Sequence, residues 1–146
     1  MEKGDRLMAF WLFKSEPDVF SWQDQVDRGD DGEEWHGIRN YAARNNMRAM
    51  VLGDRGFFYH SNIGKEMVGI AEVMGLSQPD STTDDPRWDC VRIKAVRGFQ
   101  RPVTLETCKH TPGLKKMILV NNSRLSVQPV TPEEWQIVCA LGGVEP

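Results

Sequence analysis

Four short clusters hold most of the groups that could recognise or transform a small molecule: Lys14-Ser15, Trp35-His36, Arg39-Asn40 and His60-Ser61-Asn62. An indole face stacks on a flat heterocycle, while amine, amide and hydroxyl groups read its edges, so these residue types suit a pocket for a planar ring. Catalysis has less support. The sequence contains no glycine-rich phosphate loop, no G-x-S-x-G elbow and no H-E-x-x-H pair. The three histidines (His36, His60, His110) stand far apart with no cysteine at metal-ligand spacing, so neither a metal nor a cofactor is expected. Ser15 beside Lys14 is a poor nucleophile and base pair, because neighbours on a strand point to opposite faces. Plainer roles compete for several of these residues. Asn40 would serve equally as a helix N-cap and Asn62 as a hairpin-turn residue. Trp11 and Trp135 read as core. Trp35 lacks a periodic apolar context, which leaves both core and pocket open to it.

The elements that must position these groups follow from patterning. Residues 9–14 (AFWLFK) read as a buried strand with Lys14-Ser15 at its end. Ser21 and Asp24 form a capping-box start for a short helix ending near Gly29, followed by an acidic loop from Asp27 to Glu34. Arg39 to Met50 places Ala43, Met47 and Met50 at helical spacing, and Gly53-Asp54 turns the chain. Phe57–Ser61 and Met67–Val73 read as a hairpin joined by Asn62–Glu66, then a polar loop covers Gln78–Pro86. Trp88–Phe99 alternates as a third strand with one charged face. Thr104–His110 and Leu114–Leu119 read as short helices, and Arg124–Val130 as a last strand whose Pro129 indicates an edge. The final helix is the best marked: Thr131 as N-cap, Pro132 at the first position, Glu134 completing a capping box, Val130 and Trp135 placed as a hydrophobic staple, and Gly142 as the stop. Strands interspersed with short helices, without regular βαβ alternation, imply a compact mixed α+β barrel.

With 146 residues the chain makes about one domain, 1–146, with its core at about 9–143. At 40% hydrophobic and 27% charged residues it is neither a disordered chain nor a disulfide-dense module. No apolar run approaches the roughly 18 residues of a membrane span, and the apolar patch from Leu7 to Phe13 lacks a cleavage site, so neither a membrane partner nor a signal peptide is expected. Three widely spaced cysteines (Cys90, Cys108, Cys139) read as reduced buried thiols, implying a cytoplasmic protein, or a nuclear one in a eukaryote. The net charge is −3, unevenly spread. Residues 16–34 hold eight acids against one base, and residues 87–124 nine bases against two acids. Gathered on one face, Arg92, Lys94, Arg97 and Arg124 would attract a nucleic-acid backbone; left apart, they are solvated surface.

Longer motifs carry a family resemblance. WLFKSEP (Trp11–Pro17), WHGIRNYAARNNMRAM (Trp35–Met50), GDRGFFYHSN (Gly53–Asn62), VGIAEV (Val68–Val73), Pro79-Asp80 and RLSVQPVTPEEW (Arg124–Trp135) resemble the EVE domain, in order, from Phe10 to Gly143. The resemblance implies a PUA-like fold, a twisted and mostly antiparallel β-barrel with short helices around it. It further implies a non-enzymatic reader of modified nucleobases, similar to the YTH domain with its aromatic cage for N6-methyladenosine. 5-Methylcytosine or 5-hydroxymethylcytosine in DNA is the favoured ligand, and RNA is possible. On that analogy Lys14 and Ser15 line the pocket floor and Trp35 stacks as a wall. Arg39 and Asn40 flank the mouth, and His60, Ser61 and Asn62 contact the base or its sugar. Trp22, Tyr41 and Trp88 are candidates for a second cage aromatic. Arg124 and Ser126 are motif residues open to either a phosphate contact or an internal hydrogen bond. Two other functions stay open: binding of a free nucleotide or other metabolite, and a base-processing enzyme using His60 or Lys14 as acid or base.

Overall fold

The computed structural model describes residues 9–122 and 124–146; Leu7 and Met8, which open the apolar patch, lie outside the described residues. Alternation along the central strands divides the core in two. Leu12, Phe57 and Tyr59 pack on one side with Met67, Ile70, Trp135 and Val138, whereas Trp11, Phe13 and Phe58 pack on the other with Trp35, Ala43 and Met47. A sheet covered on both faces needs strands that are apolar throughout. The runs FWLF and FFY supply that in β1 (Phe10–Ser15) and β3 (Arg55–His60).

β3 pairs antiparallel with β4 (Glu66–Pro79), and β4 with β5 (Asp89–Thr104). β1 lies parallel to β3, placing Ser15 opposite His60. The two-residue β2 (Glu33–Glu34) adds to β5, and β6 (Val127–Val130) to β1, giving the order β2-β5-β4-β3-β1-β6. The mixed, mostly antiparallel architecture matches the expectation, with one difference. β2 and β6 do not pair with each other, so the sheet is open rather than a closed barrel. Pro129 lies on β6, an edge strand where its missing N–H costs little. Register shifts interrupt β3–β4 once and β4–β5 four times, each a place where local twist increases.

Among the described residues, five α-helices flank the sheet: α1 (Trp22–Asp27), α2 (Tyr41–Ala49), α3 (Leu105–His110), α4 (Ile118–Asn121) and α5 (Pro132–Gly142). Both capping boxes form, Ser21 with Asp24 and Thr131 with Glu134. Boundaries move where local signals were weak. β2 emerges within the expected acidic loop, and the helix sought at Leu114–Leu119 lies at Ile118–Asn121. β4 runs on to Pro79, β5 to Thr104, and β6 starts only at Val127. α5 ends one residue late. Gly142 is helical and faces the Phe99 ring, while Gly143 takes the left-handed φ of 72° that ends the helix. A buried carboxylate closes the turn after α2: Asp54 accepts from the Trp11 indole at 3.1 Å, Val51 N–H at 3.0 Å and Ala9 N–H at 3.3 Å.

Candidate functional site

Parallel strands cannot be joined by a tight turn, so residues 16–54 form a long crossover from β1 to β3 that carries α1, β2 and α2. Where that crossover leaves β1 there is a cavity of about 200 Å³, lined by Lys14, Ser15, Glu16, Val19, Phe20, Glu33, Glu34, Trp35, His36 and Ile38. This is smaller than the roughly 300–1,000 Å³ of sites for drug-sized molecules and suits a single ring system.

Trp35 follows β2 and is fixed by its N–H to Val91 O (2.8 Å). Its ring stands edge-on to Phe13 and Phe58, both at 5.6 Å, and to Phe20 at 6.2 Å, and only 7% of the residue is exposed. Trp35 is therefore core and cavity wall at once, since its two candidate roles do not exclude each other. Phe20 is the second aromatic of the cavity, and sequence spacing did not single it out. The Ser15 hydroxyl donates to Phe20 O at 2.5 Å, so Ser15 holds that wall in place. None of the three aromatics considered for the second position lines the cavity. Trp22 lies against Gly69, where a Cβ would come within 2.4 Å of the indole, and edge-on to Phe58. Tyr41 and Trp88 stack on each other at 5.0 Å outside it.

The remaining expected residues divide. Asn40 accepts from Ala43 N–H (2.9 Å) as the N-cap of α2 and does not line the cavity. Arg39 lies beside the Trp88 ring and donates to Asp80 at 3.1 Å. His60 Nε2 accepts from Trp22 N–H at 3.0 Å, which anchors the start of α1, and His60 does not line the cavity. Burial lowers its pKa against the opposing effect of Glu66. Ser61 and Asn62 line a second cavity, and Asn62 has the positive φ of 65° of a turn residue. The Ser126 backbone carbonyl accepts from Lys14 N–H at 2.9 Å. Arg92 sits opposite Glu34 on β5 and donates to Asp31 O, Lys94 sits opposite Glu72, and Arg97 faces a cleft beside Gly143. Acidic and basic stretches thus meet across β2–β5, and part of the expected basic face is offset at its source. Arg124 is exposed.

Asp80 is the polar hub that sequence reasoning quoted but gave no role. Its buried carboxylate accepts from Gly37 N–H (2.8 Å), Arg39, Thr82 N–H (2.7 Å) and the Thr82 hydroxyl (2.5 Å), pinning the segment after Trp35 to the loop after β4. Burial pushes its pKa up, but the hydrogen bonds from Thr82, Gly37 and Arg39 outweigh that and hold it well below the usual carboxylate range. Nearer the cavity, the Ser81 hydroxyl lowers the Glu34 pKa, assisted by the Cys90 thiol and Arg92. Glu33 accepts from Arg28 at 3.1 Å. Burial lowers the Lys14 pKa. The thiols are inert: burial, and for Cys90 also Glu34, pushes Cys90 to about 12, while burial pushes Cys108 and Cys139 to about 11. Among the described residues, no three His, Cys, Asp or Glu side chains group as metal ligands.

A family model for the EVE domain matches residues 9–141. Mouse thymocyte nuclear protein 1 is 37% identical over 98% of this chain and 77% of its own length. Among solved structures, an Agrobacterium tumefaciens protein superposes with a TM-score of 0.92 at 58% identity, covering 93% of this chain and 94% of that one. Human thymocyte nuclear protein 1, in complex with 5-methylcytosine-containing DNA, superposes with a TM-score of 0.85 at 34% identity, over 94% of this chain and 99% of that one.

Proposed function

The chain belongs to the EVE domain family, and on that premise we propose that it is a non-enzymatic reader of a modified nucleobase in DNA, 5-methylcytosine or 5-hydroxymethylcytosine, held in the Trp35 cavity. The observation that carries the reading is the cavity itself. It is sized for one ring system, walled by Trp35 and Phe20 and rimmed by Lys14, Glu16, Glu33 and Glu34. Its relative in complex with 5-methylcytosine-containing DNA points to the ligand class. Aromatic walls repay the few kcal/mol needed to extrude a base, at about 1–3 kcal/mol per stacked ring. Carboxylates suit a base edge with an exocyclic amine, as cytosine N4 has. They oppose a ligand whose phosphates must enter too, which disfavours a free nucleotide. The hydroxyl of Ser15, which lines the cavity beside Lys14 and His36, is committed to Phe20 O, and His60 is engaged by α1, which favours binding over turnover.

The test is a titration with matched oligonucleotides carrying cytosine, 5-methylcytosine, 5-hydroxymethylcytosine, adenine or N6-methyladenine, as DNA and as RNA. The expected result is preference for one modified cytosine in DNA by about ten- to two-hundred-fold, the worth of one methyl in an apolar niche. Equal or absent binding across the panel would overturn the reading and favour a small metabolite.

A further inference from the structure

Ser61 and Asn62 do not join Trp35. They line a separate cavity of about 260 Å³ together with Lys14, Tyr59 and Lys65 over a floor of Leu105 and Leu119. The two cavities open at the same end of the sheet but over opposite faces. Trp35 and Phe20 belong to the α2 side of the core, whereas Tyr59, Leu105 and Leu119 belong to the α5 side. Register explains the neighbourhood: β1 and β3 are parallel, Lys14 pairs with Tyr59, and the strands end together. Lys14 alone lines both cavities.

From this juxtaposition we propose that the second cavity seats a backbone phosphate next to the base in the Trp35 cavity, with Lys14 between them and Lys65 as the outer cation. The inference rests on the base-reader reading and adds a site to it. Two lysines, a tyrosine, a serine and an asparagine line the second cavity, residue types that supply donors for phosphate oxygens and offer little to an amine or a metal cation. Burial first, then Cys108 and Glu66, pushes the Tyr59 pKa up to about 12, so its phenol remains a donor. Two carboxylates border the seat. Glu16 accepts from the Asn62 amide, and Glu66 follows Lys65. They keep the seat near neutral when empty, so that a single phosphodiester, not a highly charged free anion, matches it. Lys65 itself stands on the exposed hairpin turn, with only its backbone carbonyl tied down, by Leu105 N–H at 2.9 Å.

The test compares wild type with Lys65→Gln, and with Ser61→Ala as a second variant, on a 5-methylcytosine oligonucleotide and its unmodified twin at several salt concentrations. The titration is repeated with uncharged methylphosphonate linkages flanking the target base. Lys65→Gln is expected to weaken both oligonucleotides several-fold in parallel, leaving their ratio unchanged, and to reduce the salt slope by about 0.7–0.9, the share of one phosphate. The neutral linkages should then cost wild type more than Lys65→Gln. Unchanged affinity and slope in Lys65→Gln, or an equal cost of the neutral linkage in both proteins, would overturn the phosphate seat while wild-type base preference survived. Loss of base preference in wild type would instead strike the reader assignment, and absence of any oligonucleotide binding would sink both. Inorganic phosphate competing as well as the oligonucleotide would show a free-anion site instead, which also overturns the proposal.

Discussion

At the scale of single residues, the site is built from side chains that hold the fold and shape the cavity together. Trp35 is the plainest case. Its ring packs against Phe13, Phe20 and Phe58, so Trp35→Ala leaves a core void and should cost about 3–5 kcal/mol of stability. Loss of binding in that variant would therefore say little about recognition. Trp35→Phe keeps an aromatic wall with less stacking area, and is expected to melt closer to wild type while reducing preference for the modified base; denaturant melts with paired titrations measure both. His60 gives a second prediction. Its folded pKa lies below the unfolded value, so the unfolded chain takes up the proton more readily. Its contribution to stability is complete above the unfolded pKa and is lost as pH falls through the window down to the folded one. Stability measured from pH 8 to 5 should fall in that window, and His60→Gln, whose amide oxygen can accept from Trp22 N–H, should flatten the fall.

At the scale of elements, what was legible in the sequence is what local chemistry specifies. The Ser21–Asp24 and Thr131–Glu134 capping boxes, the FFYHS and MVGIAEV strands and the edge position of Pro129 each follow from residues within a few positions. What was not legible depends on pairing across the chain. Glu33–Glu34 becomes a strand by pairing with β5, and Phe20 becomes a cavity wall by meeting the Trp35 ring, while the Ser15 hydroxyl donates to its carbonyl. The parallel pairing of β1 and β3 brings the strand ends that carry Ser15, His60, Ser61 and Asn62 together. Those residues do not share one cavity: Ser15 lines the Trp35 cavity, Ser61 and Asn62 line the second one over the opposite face, and His60 lines neither. Asp80 links elements too distant for spacing to reveal, tying the segment after β2 to the loop after β4. Asp80→Asn leaves those N–H and guanidinium donors facing a neutral amide. The expected cost is roughly 2–4 kcal/mol, with faster hydrogen exchange at Gly37 and Thr82; exchange unchanged at both amides would contradict this role.

At the scale of the whole molecule, the proposed reading requires a chain of net charge −3 to approach a polyanion. Pairing of β2 with β5 places acids against bases, and Arg39, Arg48, Arg55 and Arg87 are all engaged by carboxylates. These four cations are therefore offset locally, and on the proposed reading attraction to DNA would rest on the cations that remain, through a limited number of phosphate contacts. Total affinity should fall with salt while the preference for modified over unmodified base stays constant, because stacking and edge recognition release no counterions. Titrations at two salt concentrations check this, and a preference that collapsed with salt would argue against a ring-reading cavity. The most direct test of the central claim is an NMR titration of the labelled protein with a 5-methylcytosine oligonucleotide. The indole N–H of Trp35 and the amides of Ser15, Phe20 and Ile38 should shift most, and shift less with the unmodified twin. A Trp35 signal that stays still while the largest shifts fall elsewhere, as at the cleft between Arg97 and Gly143, would contradict the account.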